Sequence, residues 1–152
     1  MKIMDITEAQ KIQLNDFCRR NQVALFIIFG SYAKGKTHPN SDLDIALSFE
    51  NNKLSIDKLR LIFELEGIFE RQIDLVIINS MTDPLLRFEI FSTGKPLFMT
   101  KPHLFEVGKL HAWKLYLDTK NIRMLKEQYV KNYIRKLKDD LRSRISEERV
   151  ID

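Results

Sequence analysis

The chain switches between two hydrophobic periods, and the switches mark out its elements. Thr7-Glu8-Ala9-Gln10 has the spacing of a capping box, in which a hydroxyl and a side-chain amide satisfy the first orphan amides of a helix. The predicted helix runs to about Asn21, with Ile12, Leu14, Phe17 and Cys18 as its apolar positions. Val23 to Phe29 is a near-continuous apolar run closed by Gly30, the pattern of a strand buried on both faces. Gly30 to Asn40 holds two glycines and a proline and must be mostly turn, with room for a helical turn after Ser31. From Asp42 to Phe49 the pattern alternates: Asp42, Asp44, Ala46 and Ser48 share one face, and Leu43, Ile45, Leu47 and Phe49 the other. Ser55 is placed to cap a helix to about Phe69 with Ile56, Leu59, Ile62 and Phe63 facing in. Gln72 to Ile78 reads as a third strand. Asp83-Pro84 opens another helix that Gly94 ends, and Pro96 to Met99 reads as a short edge strand.

From about His103 the pattern is helical to near Glu148, with a break at Asp118–Asn121. Beyond the break, Leu125, Tyr129, Tyr133, Leu137, Leu141 and Ile145 recur every four residues. The order predicts an α/β protein with a small mixed sheet flanked by helices, a core over residues 1–100 and a helical extension over 101–152. The extension either packs back on the core or serves a partner or a second copy.

Composition changes this picture little. A hydrophobic share of 44% and a charged share of 30% are ordinary for a soluble domain of 152 residues. No apolar run approaches the ~20 residues of a membrane span, and the N-terminus lacks the layout of a signal peptide. Cys18 is the sole cysteine, so no internal disulfide forms, which fits a cytoplasmic protein. Charge is more informative. The net +4 comes from a C-terminal third at +5 and a remainder at −1, the sort of asymmetry that marks a partner surface.

The candidate chemistry lies at the ends of the predicted strands. Asp42 and Asp44, two apart on a strand, point from one face about 7 Å apart. Asp74 opens the otherwise apolar Asp74-Leu75-Val76-Ile77-Ile78, where a carboxylate is costly unless paired or bound to metal. Three converging acids repel one another; a hard divalent cation turns them into ligands. Gly30 lets the backbone approach a phosphate, Ser31 adds a hydroxyl and an amide, and Lys34 and Lys36 stand in the same loop as mobile positive charges. Ser41 reads as a turn residue orienting Asp42. His38, His103 and His111 have no mutual metal-ligand spacing.

Gly30-Ser31, ten residues, then Asp42-Leu43-Asp44 resembles the signature of the nucleotidyltransferase superfamily that includes DNA polymerase beta. Gly30-Ser31-Tyr32-Ala33-Lys34-Gly35 with Ser41-Asp42-Leu43-Asp44-Ile45 resembles the minimal nucleotidyltransferases paired with HEPN toxins in toxin–antitoxin modules. Asp74 aligns with that family's third carboxylate. Lys34 stands where many relatives have arginine. The resemblance implies a polymerase beta-like palm and a Mg²⁺-dependent enzyme, with two ions on Asp42, Asp44 and Asp74. It implies ATP held by Gly30, Ser31, Lys34, Lys36 and Ser41. It also implies transfer of AMP to a tyrosine of a HEPN ribonuclease toxin in a hetero-oligomer. No aromatic platform is evident in the basic tail, so direct nucleic-acid binding is not expected. Two other functions stay open: transfer to a small hydroxyl compound, as in aminoglycoside nucleotidyltransferases, and neutralisation of a partner by binding alone.

Overall fold

The computed structural model describes residues 6–35, 41–51 and 55–150. Their elements are α1 (Glu8–Arg20), β1 (Val23–Phe29), β2 (Leu43–Phe49), α2 (Lys58–Phe69), β3 (Ile73–Ile77), α3 (Pro84–Thr93), β4 (Lys95–Met99), α4 (Leu104–Asp118) and α5 (Lys120–Val150). They fall into two compact units that divide between Leu115 and Tyr116.

In the first unit the strands form one mixed sheet in the order β3-β2-β1-β4. β1 runs antiparallel to β2 and β4, and β2 runs parallel to β3. β1 is therefore central and covered on both faces, which is why all seven of its residues are buried. One face carries Phe26, Ile28, Ile45, Leu47 and Leu75 against Leu14, Phe17 and Cys18 of α1 and Leu61, Leu65 and Phe69 of α2. The other carries Leu25, Ile27, Phe29 and Ala46 against Ile90 and Phe91 of α3 and Phe105 and Ala112 of α4.

The local signals act as their chemistry requires. Thr7 and Gln10 form both halves of the capping box. The Asp83 side chain accepts from the amides of Leu85 and Leu86 ahead of Pro84. The second helix departs from the expected phase. Asp57, not Ser55, caps α2, its side chain accepting from the Arg60 amide. Starting there, the helix turns Leu61, Leu65 and Phe69 inward as an i, i+4 ridge and leaves Leu59 and Phe63 at 79% and 78% exposure. Replacing Leu65 by alanine is expected to cost about 2–5 kcal/mol of unfolding free energy, and replacing Phe63 within about 0.5 kcal/mol, in denaturant titrations. Comparable losses at both would return Phe63 to the core.

α5 is a separate case. None of its residues is buried, and every member of the four-spaced stripe is at least 46% exposed. Among the described residues no helix is long and apolar enough to cross a membrane.

Candidate active site

The acids of the second and third strands come together through register. β2 and β3 run in parallel with Asp44 opposite Asp74, and on the other side of β2 Asp44 is opposite Phe29, the residue before Gly30. Alternation puts Asp44, Ala46 and Asp74 on the face covered by α3, while their neighbours Leu43, Ile45, Ile73 and Leu75 are buried on the other. Asp42 lies exposed just ahead of β2, and Ser41 precedes it, half-buried.

Gly30 sets the floor of the site. It has φ +72°, and a Cβ built on it would stand 2.3 Å from Oδ2 of Asp44. A side chain there would therefore meet both backbone strain and the carboxylate itself. After Gly30 the chain makes one turn in which the Lys34 amide donates to the Gly30 carbonyl and the Gly35 amide to the Tyr32 carbonyl. The turn leaves Ser31 half-buried directly after Gly30, and Lys34 exposed. Tyr32 is buried in the core under α1 and α2, with the Arg71 guanidinium 4.6 Å from its ring centre. Tyr32 thus packs at the sheet, and Arg71 stacks on Tyr32. Lys36 and His38 lie outside the described residues.

The electrostatics mark Asp44 as the focus. Burial, then the charge of Asp74 and a hydrogen bond with it, then the charges of Glu89 and Asp42, push its carboxyl up to about 6 from an ordinary 3.8. Glu89, on α3, is a fourth acid that the strand pattern did not reveal. Its only signal in the sequence is a place one residue before the buried pair Ile90-Phe91 on the helix covering this face.

This shift carries a sign. The folded state holds a proton on Asp44 that the unfolded chain has released, so the stabilisation is present below about pH 4 and is lost as pH rises through about 6. Asp44 is half-exposed, and screening reduces the effect to about 1 kcal/mol. In chelator, the unfolding free energy of the native chain is expected to fall by about that much more than that of Asp44→Asn between pH 4 and pH 7. Parallel profiles would contradict this.

Among the described residues no three His, Cys, Asp or Glu side chains are drawn together as a metal-holding group. What is drawn together is the Asp44–Asp74 pair, with Asp42 beside it, bridged through a hydrogen bond that needs a proton. Two carboxylates held this close, with burial and neighbouring charge opposing ionisation of Asp44, are short of positive charge, and their donors are all hard oxygens. Both properties fit a divalent cation such as Mg²⁺.

The sequence profile of the family described as "Polymerase beta, Nucleotidyltransferase" matches residues 12–103. Protein adenylyltransferase MntA of Shewanella oneidensis is 31% identical over 95 residues, which are 61% of this chain and 68% of the relative. Among solved structures, a toxin–antitoxin with AMP-PNP aligns at a TM-score of 0.68 and 24% identity, covering 79% of this chain and 97% of the other. The tri-AMPylated Shewanella oneidensis HEPN toxin in complex with MNT antitoxin aligns at 0.64 and 21%, covering 81% and 97%. At these identities the structural likeness is one of fold.

Proposed function

The chain belongs to the polymerase beta nucleotidyltransferase family, and on that premise we propose that it is a cytoplasmic antitoxin that transfers AMP from ATP to a tyrosine of a cognate HEPN ribonuclease, silencing it. The observation that carries this reading is the Asp44–Asp74 pair beneath Gly30, with Asp42 at its side. The match to a protein adenylyltransferase over two thirds of that relative's length supports a protein acceptor. In this reading residues 1–100 carry the transferase core, α4 packs on it through Phe105 and Ala112, and the part of the 101–152 extension beyond Leu115 meets a partner.

Asp42, Asp44 and Asp74 would hold Mg²⁺, two ions in the full site. When bound, the metal offsets charge on the leaving pyrophosphate and lowers the pKa of the attacking hydroxyl. Gly30 and the Ser31 amide and hydroxyl grip the triphosphate, Lys34 and Lys36 add positive charge to it, and Ser41 orients Asp42. The tyrosine oxygen forms a bond to the α-phosphorus of ATP as the α-phosphorus–oxygen bond to pyrophosphate breaks. Asp74 is the candidate to accept the hydroxyl proton, or to be a ligand of the second ion.

The reading is tested with ATP labelled at the α-phosphate, Mg²⁺ and the HEPN partner. Label is expected on the partner, and chelation is expected to remove it. A complex that forms but takes up no label would overturn the enzymatic reading. Mg²⁺ is also expected to raise the melting temperature of the native chain but not of an Asp42→Asn, Asp44→Asn variant, because only the native site binds the ion. Equal shifts in both would place the ion elsewhere.

A further inference from the structure

Tyr32 and Arg71 meet on the face of the sheet opposite the acids. Tyr32 is 3% exposed and belongs to the core that includes Leu14, Phe17, Leu61 and Ile73. The Arg71 guanidinium lies over its ring, 4.6 Å from the centre. Tyr32 Oη and Arg71 Nη1 are both buried without a hydrogen-bond partner. Among the described residues Arg71 forms no ion pair, with Asp74 or any other acid. A cation drawn out of water needs compensation, and here the electron-rich face of the ring supplies it.

The two residues belong to different parts of the site. Tyr32 stands in the turn after Gly30, whose Lys34 and Gly35 amides donate to the Gly30 and Tyr32 carbonyls. Arg71 stands three residues ahead of Asp74, and the carbonyl of the next residue, Gln72, accepts from the Leu43 amide where β2 begins. In the sheet β2 lies between β1 and β3, so no backbone ladder joins the turn to the strand of Asp74. The Arg71 side chain does join them, reaching past the start of β2. On the acid face the turn is seated by Gly30 against Asp44. On the other face it is seated by Tyr32 under Arg71. One such contact would leave the turn free to pivot; two on opposite faces fix its tilt.

We propose that Arg71 is a positioning residue for nucleotidyl transfer: stacked on Tyr32, it fixes the phosphate-gripping turn at Gly30 and Ser31 relative to the Asp44–Asp74 pair. Its effect on rate rests on the transferase reading, whereas its hold on the turn does not. Misplacing a reacting group by about 1 Å can cost about 10²-fold in rate, so a loosened turn is felt in turnover. A rival role, in which Arg71 acts at long range through its charge, predicts that lysine replaces it and that Tyr32 is indifferent. Stacking predicts neither, since lysine has no planar group to lay on the ring.

The test compares Arg71→Met, Arg71→Lys, Tyr32→Phe and Tyr32→Leu in the full chain. Arg71→Met is expected to lose about 10- to 100-fold in kcat, with KM for ATP raised as well. Arg71→Lys is expected to recover only a minor part of that loss. Tyr32→Phe keeps the ring face and is expected to stay within about threefold of native. Tyr32→Leu is expected to lose as Arg71→Met does, and adding Arg71→Met to it is expected to cost nothing further. A second readout does not depend on the reaction. Hydrogen exchange at the Lys34 and Gly35 amides is expected to quicken at least about tenfold in Arg71→Met and in Arg71→Lys, and to be unchanged in Tyr32→Phe. Protection of the β1 amides is the control on folding; if Arg71→Met loses it, Arg71→Lys carries the same comparison. A native chain that transfers no AMP would sink the transferase reading, and exchange would still decide whether Arg71 holds the turn. Full rescue by lysine, additive losses in the double variant, or native exchange at Lys34 and Gly35 in both Arg71 variants would each overturn the proposal.

Discussion

Replacing Asp44 by asparagine is expected to lower the rate of AMP transfer by at least about 10³-fold, with the fold intact and the metal-free protein no less stable than the native chain. The two halves of this expectation share a cause. Asp44 is the acid on which its neighbours bear: it is opposite Asp74, close under Gly30, and raised by burial and by the charges of Asp74, Glu89 and Asp42. Without metal its charge is a cost to the fold, so an amide of the same shape relieves it. In the proposed reaction the same charge would be a metal ligand, and an amide cannot replace it. A structural role alone would give the opposite pattern, with lost stability and activity falling only in proportion. Transfer rate and urea midpoint, measured on the same preparation, distinguish the two. Activity within tenfold of native would remove Asp44 from the chemistry.

The second large effect is expected at Gly30. Alanine there has to adopt φ +72° and place its Cβ where Oδ2 of Asp44 now stands, 2.3 Å away. The backbone term costs about 1–2 kcal/mol. Relief of the clash moves Asp44 away from Asp74, or the turn away from the strand end. Gly30→Ala is therefore expected to lose about 1–3 kcal/mol of stability and at least 10²-fold in transfer, the loss appearing in kcat as well as in KM for ATP. Serine should behave no better, since the obstacle is the β-carbon. A Gly30→Ala chain with native kcat would show that the turn and the acid are not mechanically joined.

How much of this was legible in the sequence differs from element to element, for physical reasons. β1 was readable because a central strand is apolar on both faces, and β2 because large apolar residues alternate along it with the small, acidic and hydroxyl residues of the face under α3. The Thr7 and Asp83 caps were readable because their chemistry is local. α2 was mis-phased because Ser55 and Asp57 are both good caps; the choice between them rotates the helix, and only packing against β1 and β3 makes it. Asp42 and Asp44 stood out through spacing, and Asp74 through its apolar neighbours. Their register across β2 and β3 was not legible, since parallel strands are joined through a helix and nothing local fixes which residues face each other. Glu89 was invisible for a related reason: an acid on an amphipathic helix looks like any solvated residue until the helix is laid over the sheet. The stripe on α5 was plain, but its exposure was not, because period alone cannot say whether a face meets the core or another chain.

The central claim is that these acids carry AMP to a tyrosine of a partner protein, and the intact mass of that partner tests it most directly. After incubation with ATP, Mg²⁺ and the native chain, the HEPN protein is expected to gain one or more AMP units. It is expected to gain none with the Asp42→Asn, Asp44→Asn chain, and none when its acceptor tyrosine is replaced by phenylalanine. An unchanged mass with the native chain, in a mixture where the two proteins demonstrably bind and the toxin is silenced, would contradict the account and leave neutralisation to binding alone.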